Sequence, residues 1–321
     1  MEQKQAFHGR GVNVLNNFRP GVGVRVLVSG ASGFVGSRLV PVLSERGAEV
    51  IAVSRTPERT ATSLGIESAV DWAGVPKVIA EVVDAVIHLA GETVQGRWNK
   101  AKAVAVRDSR IQTTETIVDA IAASSSPPGV LLCASGIGFY GEGGEDVLLE
   151  TAPAGDDFFA EVCVGWEGAA RRATESGCRV GILRFGIIIG DGGGALDAMM
   201  LPTKLGVAGP LGSGRQWWSW VHRSDAVDAI VFALDNGALS GAINVVAPEP
   251  VRQADFQRAL SRALNRPSFM PAPAFALRMV LGTFAQEVLS SKRVMPSVLT
   301  EAGFSWKWAD LDAAIGEATS G

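Results

Sequence analysis

The sequence is poor in the side chains that build metal centres and disulfide frameworks. Its 321 residues include three cysteines and three histidines. Cys133, Cys163 and Cys178 form no Cys-x-x-Cys pair, and the histidines are far apart in the sequence. This spacing excludes the common zinc motifs and indicates reduced cysteines in a cytoplasmic protein, so we expect no metal site.

Long apolar runs and an excess of positive charge are also missing. No apolar run reaches the roughly 20 residues that a membrane span needs, so no membrane partner is expected. The 29 lysines and arginines are balanced by 33 acidic residues, without a block of like charge. Nucleic-acid binders usually carry a basic face, so we expect no nucleic-acid partner. Nothing in the sequence indicates an oligomeric state.

The first 23 residues differ from the rest of the chain. Segment 1–23 has no clear periodicity and lacks the apolar core of a secretory signal. We expect a disordered extension. Because Glu2 is the sole acidic residue in this segment, a cleaved organelle-targeting peptide is the alternative, with an organelle as the location in place of the cytoplasm.

A buried strand and a glycine-rich turn follow this segment. Residues 24–28 form a nearly continuous β-branched run, which is typical of a strand buried on both faces of a parallel sheet. The turn at 30–36 follows, and a helix is expected from Gly33 to Gly47. A second apolar run at 50–53 completes a strand–helix–strand unit.

Each glycine of the turn has a separate predicted role in binding a dinucleotide. Gly30 permits the tight turn out of the strand. Gly33 lets the backbone approach a pyrophosphate, and Gly36 lets the helix pack closely on the sheet. The N-terminus of the helix then presents N–H groups to the phosphates, so the turn indicates a dinucleotide-binding protein.

The end of the second strand indicates which dinucleotide binds. Sites for NAD(H) usually place Asp or Glu there to bind the ribose 2′-hydroxyl. Here Ser54 and Arg55 occupy this place, and a guanidinium suits the 2′-phosphate of NADP(H). We therefore predict NADP(H) as the cofactor. A solvated arginine at a strand end is the alternative.

Buried strands alternate with helices along most of the chain. Further strands are expected at 84–90, 130–135 and 180–185, and helices at 104–123, 158–175 and 224–234. This alternation predicts an α/β fold with a doubly wound parallel sheet of Rossmann type. After Gly190 the sequence becomes rich in glycine and proline, which indicates a smaller C-terminal substrate lobe. We assign 24–190 to the NADP(H)-binding domain, with the sheet completed by about 241–248, and 191–321 to the lobe, with a helical region at about 267–316.

Several motifs resemble those of one enzyme family. The glycine turn, the motif His88-Leu89-Ala90-Gly91 and the single Arg184 at the end of a later strand are similar to those of the extended short-chain dehydrogenase/reductases. The finer motifs are Leu89-Ala90-Gly91-Glu92, Arg97-Trp98, Arg107-Asp108-Ser109-Arg110, Ala160-Glu161-Val162-Cys163 with Trp166-Glu167, Gly212-Ser213-Gly214-Arg215-Gln216, Asn244-Val245-Val246-Ala247-Pro248 and Ala302-Gly303-Phe304. They resemble an atypical branch, the epimerase family, whose members are labelled nucleoside-diphosphate-sugar epimerases or cell-division inhibitors and end in a domain of unknown function. The resemblance covers about 24–316.

The resemblance implies cofactor contacts at the matching positions. The turn would contribute Gly30, Ser32, Gly33, Phe34, Val35 and Gly36. The 2′-phosphate would be held by Ser54 and Arg55, and the ribose side would be lined by Leu89, Ala90 and Gly91. Arg110 would reach the cofactor from a helix, and Ile187 lies on the loop at the nicotinamide end.

The usual proton-transfer pair of the short-chain enzymes is missing. That mechanism uses Tyr-x-x-x-Lys on one helical face. The single tyrosine, Tyr140, is followed four residues later by Gly144, so the pair does not exist in this chain. By register with Glu167, the expected positions hold Phe159 and Cys163, and neither suits the role.

Three other residues are the predicted catalytic candidates. The hydroxyl of Ser135 would orient the substrate, or the residue would have only a structural role in the turn. Tyr140 would face the pocket or pack in the core. Glu161, on the helix of Phe159, would transfer a proton or stand solvated.

Two functions remain open on the sequence. The first is an NADP(H)-binding oxidoreductase or epimerase-like protein that acts on a small carbonyl compound or a nucleotide sugar, without the Tyr-x-x-x-Lys pair. The alternative is a non-catalytic protein that senses NADP(H). The missing pair favours the sensor, while the retained polar motifs and the separate lobe favour the enzyme.

Overall fold

The computed structural model describes residues 23–81, 83–94 and 98–320. The expected extension at 1–23 lies outside the described residues except for Gly23, and so does Arg97 of the family motif. Within the described ranges, no helix is long and apolar enough to cross a membrane. The same ranges contain no group of three or more metal-ligand side chains placed to hold a metal ion.

Short parallel strands make up the centre of the fold. In chain order the strands are β1 (Arg25–Ser29), β2 (Glu49–Val53), β3 (Ser68–Val70), β4 (Ala85–His88), β5 (Val130–Gly136), β6 (Val147–Leu148), β7 (Arg179–Phe185), β8 (Ile187–Ile189), β9 (Trp217–Trp218), β10 (Trp220–His222), β11 (Gly241–Val245), β12 (Val251–Arg252) and β13 (Arg293–Val294). Seven of them form one parallel sheet with the order β11-β7-β5-β4-β1-β2-β3. The sheet grows in both directions from β1, so the predicted doubly wound Rossmann fold is confirmed.

Helices cover both faces of this sheet. They are α1 (Gly36–Glu45), α2 (Pro57–Leu64), α3 (Val75–Ala80), α4 (Lys100–Ala123), α5 (Phe158–Arg171), α6 (Gly194–Lys204), α7 (Arg223–Asp235), α8 (Gln253–Ala263), α9 (Ala274–Leu281), α10 (Phe284–Leu289), α11 (Ser297–Glu301) and α12 (Leu311–Ala318). On one face, α1 and α7 bury Leu39 and Ile230 against the sheet. On the other, α3, α4 and α5 bury Ile79, Ile117 and Trp166. Because both faces are covered, the strands are nearly continuous apolar runs.

A third apolar cluster lies in the C-terminal part of the chain. Leu196 of α6, Phe256 of α8 and Ile315 of α12 pack around the indoles of Trp218 and Trp220. In the same part of the chain, β8 pairs with β10 and β12 pairs with β9. Between α7 and β12, the strand β11 pairs with β7 and completes the sheet. The residue bounds that we assign to the substrate lobe remain a prediction.

Candidate functional site

A large cleft opens at the carboxyl ends of the parallel strands. Its volume is about 1250 Å³, and it lies between the glycine turn after β1 and the C-terminal part of the chain. Its walls are mainly apolar and include Phe34, Met199, Val207, Met270, Leu281 and Phe284. The cleft therefore occupies the place where strand order reverses, which is where open α/β sheets bind their ligands.

The turn after β1 has room for glycine alone at key positions. Gly30 has a φ of +70°, and a Cβ on it would lie 2.7 Å from the carbonyl carbon of Leu89 at the end of β4. A Cβ on Gly36 would lie 2.2 Å from the Gly30 carbonyl oxygen. The tight turn that we predict at Gly30 is thus present, and the close approach at Gly36 is to the backbone of this turn.

Six of the thirteen cofactor residues predicted from the sequence line the cleft. They are Ser32, Gly33, Phe34, Gly91, Arg110 and Ile187. Leu89 is half-buried and packs against the apolar cores on both faces of the sheet. The amide of Ala90 donates to Ser29 Oγ over 3.3 Å. Val35 occupies the N-cap position of α1, and its side chain forms no capping hydrogen bond.

Ser54 and Arg55 follow β2, at the same edge of the sheet. Ser54 Oγ accepts hydrogen bonds from the Thr56 amide over 3.1 Å and from Thr60 Oγ1 over 2.7 Å. Arg55 is exposed and forms no ion pair with any residue that the structure describes. A hydrogen bond from Lys102 lowers the pKa of Glu92, and the charge of Arg55 adds to this effect. Arg55 therefore lies within electrostatic reach of the cleft edge.

Arg110 projects from α4 against the backbone of the loop after β4. A Cβ on Gly91 would lie 3.2 Å from its guanidinium carbon, and Arg110 Nη1 donates to the Glu92 carbonyl over 3.1 Å. The guanidinium also stands 5.2 Å from the centre of the Trp166 ring. Burial lowers the pKa of Arg110. With its guanidinium held in this way, Arg110 presents a fixed cation at the cleft wall.

His88, at the end of β4, is buried beneath this loop. Its ring is within 2.5 Å of Ser29 Oγ and within 3.3 Å of Thr113 Oγ1. Burial lowers the pKa of His88 to about 3, and the charge of Arg110 contributes to the shift. A neutral imidazole thus links β1, β4 and α4 under the site.

The three predicted catalytic residues are not brought together in the cleft. Ser135 is buried and donates from Oγ to Glu167 Oε1 over 2.9 Å. Glu161 is exposed on α5. The hydroxyl of Tyr140 is buried, donates to Asn244 Oδ1 over 2.7 Å and accepts from Arg184 Nη1 over 3.0 Å. None of the three lines the cleft. Ser135 lies within β5 and not in a turn, Tyr140 packs in the core, and Glu161 is exposed on α5.

A buried ion pair explains where two of these hydroxyls point. Arg184 binds Glu167 through two parallel hydrogen bonds of 2.8 Å, and both side chains are almost completely buried. Ser135 donates to this carboxylate, and Tyr140 accepts from this guanidinium. A buried ion pair needs such additional partners, so both hydroxyls serve the structure beneath the cleft.

Phe159 and Cys163 stand on the face of α5 that the usual catalytic pair would occupy. Phe159 packs against Phe284 of α10, with 6.1 Å between ring centres. Burial raises the pKa of the Cys163 thiol to about 11. At neutral pH this thiol is therefore protonated and does not replace a lysine charge.

A polar cluster that sequence reasoning missed lies opposite this face. Glu287 of α10, Ser290 and Lys292 all line the cleft. Lys292 Nζ donates to Glu287 Oε2 over 3.0 Å and also donates to Ser290 Oγ. The sequence contains no specific signal for this cluster, because the stretch 284–296 mixes polar and apolar residues without a recognisable motif.

Comparisons with known proteins fit this geometry. The model of the NAD dependent epimerase/dehydratase family matches residues 26–246, and that of a domain of unknown function (DUF1731) matches residues 272–318. A chloroplastic homolog of the epimerase family protein SDR39U1 from Arabidopsis thaliana is 39% identical over 304 residues, covering 90% of this chain and 85% of the relative. The mouse epimerase family protein SDR39U1 is 35% identical over 297 residues, covering 91% and 98%.

Solved structures agree with this relationship. Human epimerase family protein SDR39U1, crystallised with NADPH, has a TM-score of 0.85 and 33% identity, and the match covers 92% of this chain and 99% of that one. UDP-glucose 4-epimerase from Thermus thermophilus, solved with NAD, has a TM-score of 0.74 and 21% identity, covering 92% and 96%, and shows the fold alone. The resemblance seen in the sequence motifs is confirmed: the chain belongs to the NAD dependent epimerase/dehydratase family and carries the DUF1731 domain at residues 272–318.

Proposed function

We propose that this protein binds NADP(H) and uses it to interconvert a small carbonyl compound and its alcohol in the cleft. The observation that carries the proposal is the continuous cleft, which joins the glycine turn to the C-terminal part of the chain. The human relative crystallised with NADPH supports the choice of cofactor. When bound, the nicotinamide supplies or accepts a hydride, and the protein must position the substrate and exchange a proton.

The residues of the turn fit such a cofactor. Gly30 and Gly36 hold a backbone cradle that any Cβ would fill, and Gly33, Ser32 and Phe34 face the cleft. We assign the pyrophosphate to the turn formed by Gly30, Ser32, Gly33, Phe34, Val35 and Gly36. The 2′-phosphate is assigned to Ser54 and Arg55, the ribose side to Leu89, Ala90 and Gly91, and the remaining contacts to Arg110 and Ile187.

The lining of the cleft favours an apolar carbonyl compound over a nucleotide sugar. A nucleotide diphosphate needs cations that are free to bind it. Of the three cations in the described lining, Arg223 pairs with Asp191 and Lys292 pairs with Glu287, while Arg110 lies on the side that we assign to the cofactor. The adjoining walls are formed by methionine, valine, leucine and phenylalanine side chains, which suit an apolar substrate.

Arg55→Ala should remove the preference for NADPH. A charge-assisted contact with the 2′-phosphate contributes about 1.5–3 kcal/mol, so the parent should bind NADPH roughly 10- to 100-fold more tightly than NADH. The variant should bind both with nearly equal affinity, as measured by titration calorimetry. Arg266→Ala, which removes an exposed arginine shortly after α8, is the matched control. Equal affinities of the parent for the two cofactors would contradict the assignment.

Turnover should be detectable with a simple aromatic ketone. With NADPH and acetophenone, we expect the absorbance of NADPH to fall in the presence of the protein, because the apolar cleft accommodates the ring. With UDP-galactose, we expect negligible epimerisation, since no Tyr-x-x-x-Lys pair is present and the walls of the cleft are mainly apolar. Epimerisation at a rate typical of enzymes would contradict the proposal.

A non-catalytic protein that senses NADP(H) is the second candidate. Phe159 and Cys163, which replace the usual pair, favour it. Tight NADPH binding without reduction of any ketone would support this candidate over the first.

For the location of the protein, we propose the cytoplasm. The chloroplastic relative supports an organelle as the alternative.

A further inference from the structure

We propose that Lys292, held by Glu287 and Ser290, exchanges the proton with the oxygen of the carbonyl substrate. This inference rests on the function proposed above. Lys292 would be the catalytic residue, and Glu287 and Ser290 would be positioning residues. The segment that carries all three lies within the DUF1731 match at residues 272–318, outside the match to the epimerase/dehydratase model.

Lys292 is fixed in place from both sides. Its side chain is 4% exposed, although it borders the cleft. Its backbone amide donates to the Trp217 carbonyl over 2.9 Å, and its own carbonyl accepts from Ser219 Oγ over 2.9 Å. The ammonium group is then oriented by its bonds to Glu287 Oε2 and Ser290 Oγ. A catalytic group needs such a fixed position on a rigid frame.

Glu287 of this cluster lies close to Phe159 and Cys163 of α5. A Cβ on Gly138 would lie 3.3 Å from Phe159 Cβ, 3.6 Å from Glu287 Oε2 and 3.8 Å from Cys163 Sγ. The Glu287 carboxylate therefore adjoins the two residues that stand in the positions of the usual Tyr–Lys pair. Phe284, on the same short helix as Glu287, packs on Phe159 and holds the two helices together.

The ammonium group of Lys292 has a proton that it can transfer to the carbonyl oxygen of the substrate. An ammonium group has three protons, and the described residues accept two of them, which leaves one for a ligand oxygen in the cleft. In the reduction direction, the carbonyl π bond breaks as the carbon receives the hydride, and the oxygen takes a proton from Lys292 Nζ. The resulting neutral amine regains a proton from solvent by way of Glu287, whose side chain is 24% exposed. In the oxidation direction the same amine accepts the proton.

Other polar groups near the cleft are less suited to this step. The Tyr140 hydroxyl already donates to Asn244 and accepts from Arg184. Glu92 borders the cleft but accepts a 2.7 Å hydrogen bond from Lys102 and lies beside Arg55, on the side that we assign to the cofactor. Lys292 is thus the group that combines a transferable proton with a place on the substrate side.

Three variants test the assignment. Lys292→Met keeps the apolar stem and should lower the reduction of acetophenone by NADPH about 10²- to 10⁴-fold. Lys292→Arg keeps the charge but should also fail, because a guanidinium does not release its proton. Glu287→Gln should lower kcat while leaving KM for the ketone within about threefold of the parent value. A loss of packing would not change kcat alone in this way. Lys77→Met, which removes an exposed lysine paired with Glu81, is the matched control.

A second readout does not depend on turnover. In protein saturated with NADP⁺, which holds no hydride to transfer, the Kd of acetophenone is measured by tryptophan fluorescence. Lys292→Met should raise this Kd about 10-fold through loss of a charge-assisted hydrogen bond, and Lys292→Arg should keep it within about threefold. NADPH affinity should stay within about threefold of the parent in both variants.

The results separate failure of the lysine assignment from failure of the proposed function. If the parent reduces the ketone and Lys292→Met does so equally fast, the lysine assignment is overturned and the proposed function stands. Loss of ketone binding in both Lys292 variants would also overturn the assignment, since it would indicate a role in packing. If the parent binds NADPH but reduces no ketone, the proposed function falls, and the assignment of Lys292 falls with it.

Discussion

Glu167→Gln is expected to lower the free energy of unfolding by about 3–5 kcal/mol, because it leaves the guanidinium of Arg184 buried without a countercharge. Glu167 has no exposed side-chain surface and receives hydrogen bonds from Arg184, Ser135 and Arg171. Its loss would also disturb Tyr140, which depends on Arg184 for one of its hydrogen bonds. Urea denaturation followed by circular dichroism measures the change.

A control and a double variant sharpen this prediction. Glu175→Gln, which changes an exposed glutamate shortly after α5, should alter the free energy of unfolding by no more than about 0.5 kcal/mol. The double variant Glu167→Gln with Arg184→Met should recover part of the loss, because the unpaired charge is gone. A loss below about 1 kcal/mol in the single variant would show that the ion pair does not support the fold as argued.

Gly33→Val should weaken NADPH binding by more than about 100-fold while the protein remains folded. The amide of Gly33 donates to the Gly30 carbonyl over 2.9 Å, and a Cβ on Gly33 would lie 3.1 Å from that oxygen. The turn tolerates this contact after a small shift, but a branched side chain then fills the approach to the pyrophosphate. Gly36 is a poorer choice, since its Cβ at 2.2 Å would break the turn itself.

Titration calorimetry with NADPH measures this effect, and circular dichroism checks the fold. Gly316→Val is the matched control, because a Cβ there would meet nothing within 4 Å. It should bind NADPH as the parent does. A folded Gly33→Val protein with parental affinity would show that the pyrophosphate does not pass over this residue.

Most of the sheet was predictable from the sequence because burial on both faces leaves continuous apolar runs. The expected strand at 130–135 corresponds to β5, and that at 180–185 to β7. The third strand was missed because Ser68–Val70 has three residues, lies at the edge of the sheet and is only partly buried. The helix expected from Gly33 begins at Gly36, and Gly33 itself closes the preceding turn by donating from its amide to the Gly30 carbonyl.

The part of the cleft lining at the glycine turn was predictable from the sequence, and the polar cluster of Glu287, Ser290 and Lys292 was not. The glycine turn and Arg55 are local signals, in which spacing within a few residues carries the information. The surroundings of Tyr140 depend on Asn244, which is 104 residues away in the sequence. Glu287 likewise approaches Phe159 and Cys163 of α5 from a segment more than 120 residues further along the chain. Contacts of such long range leave no periodic pattern in a single sequence.

The late return of β11 to the sheet affects how the protein is made. On the ribosome, β7 emerges first and pairs with β5, while its other side keeps unpaired N–H and C=O groups. These groups find their partners only when Gly241–Val245 has been synthesised, after β8, α6 and α7. At typical synthesis rates this interval is on the order of several seconds. During that time the nascent chain presents an open sheet edge. The sheet is completed only after most of the residues that line the cleft have been synthesised.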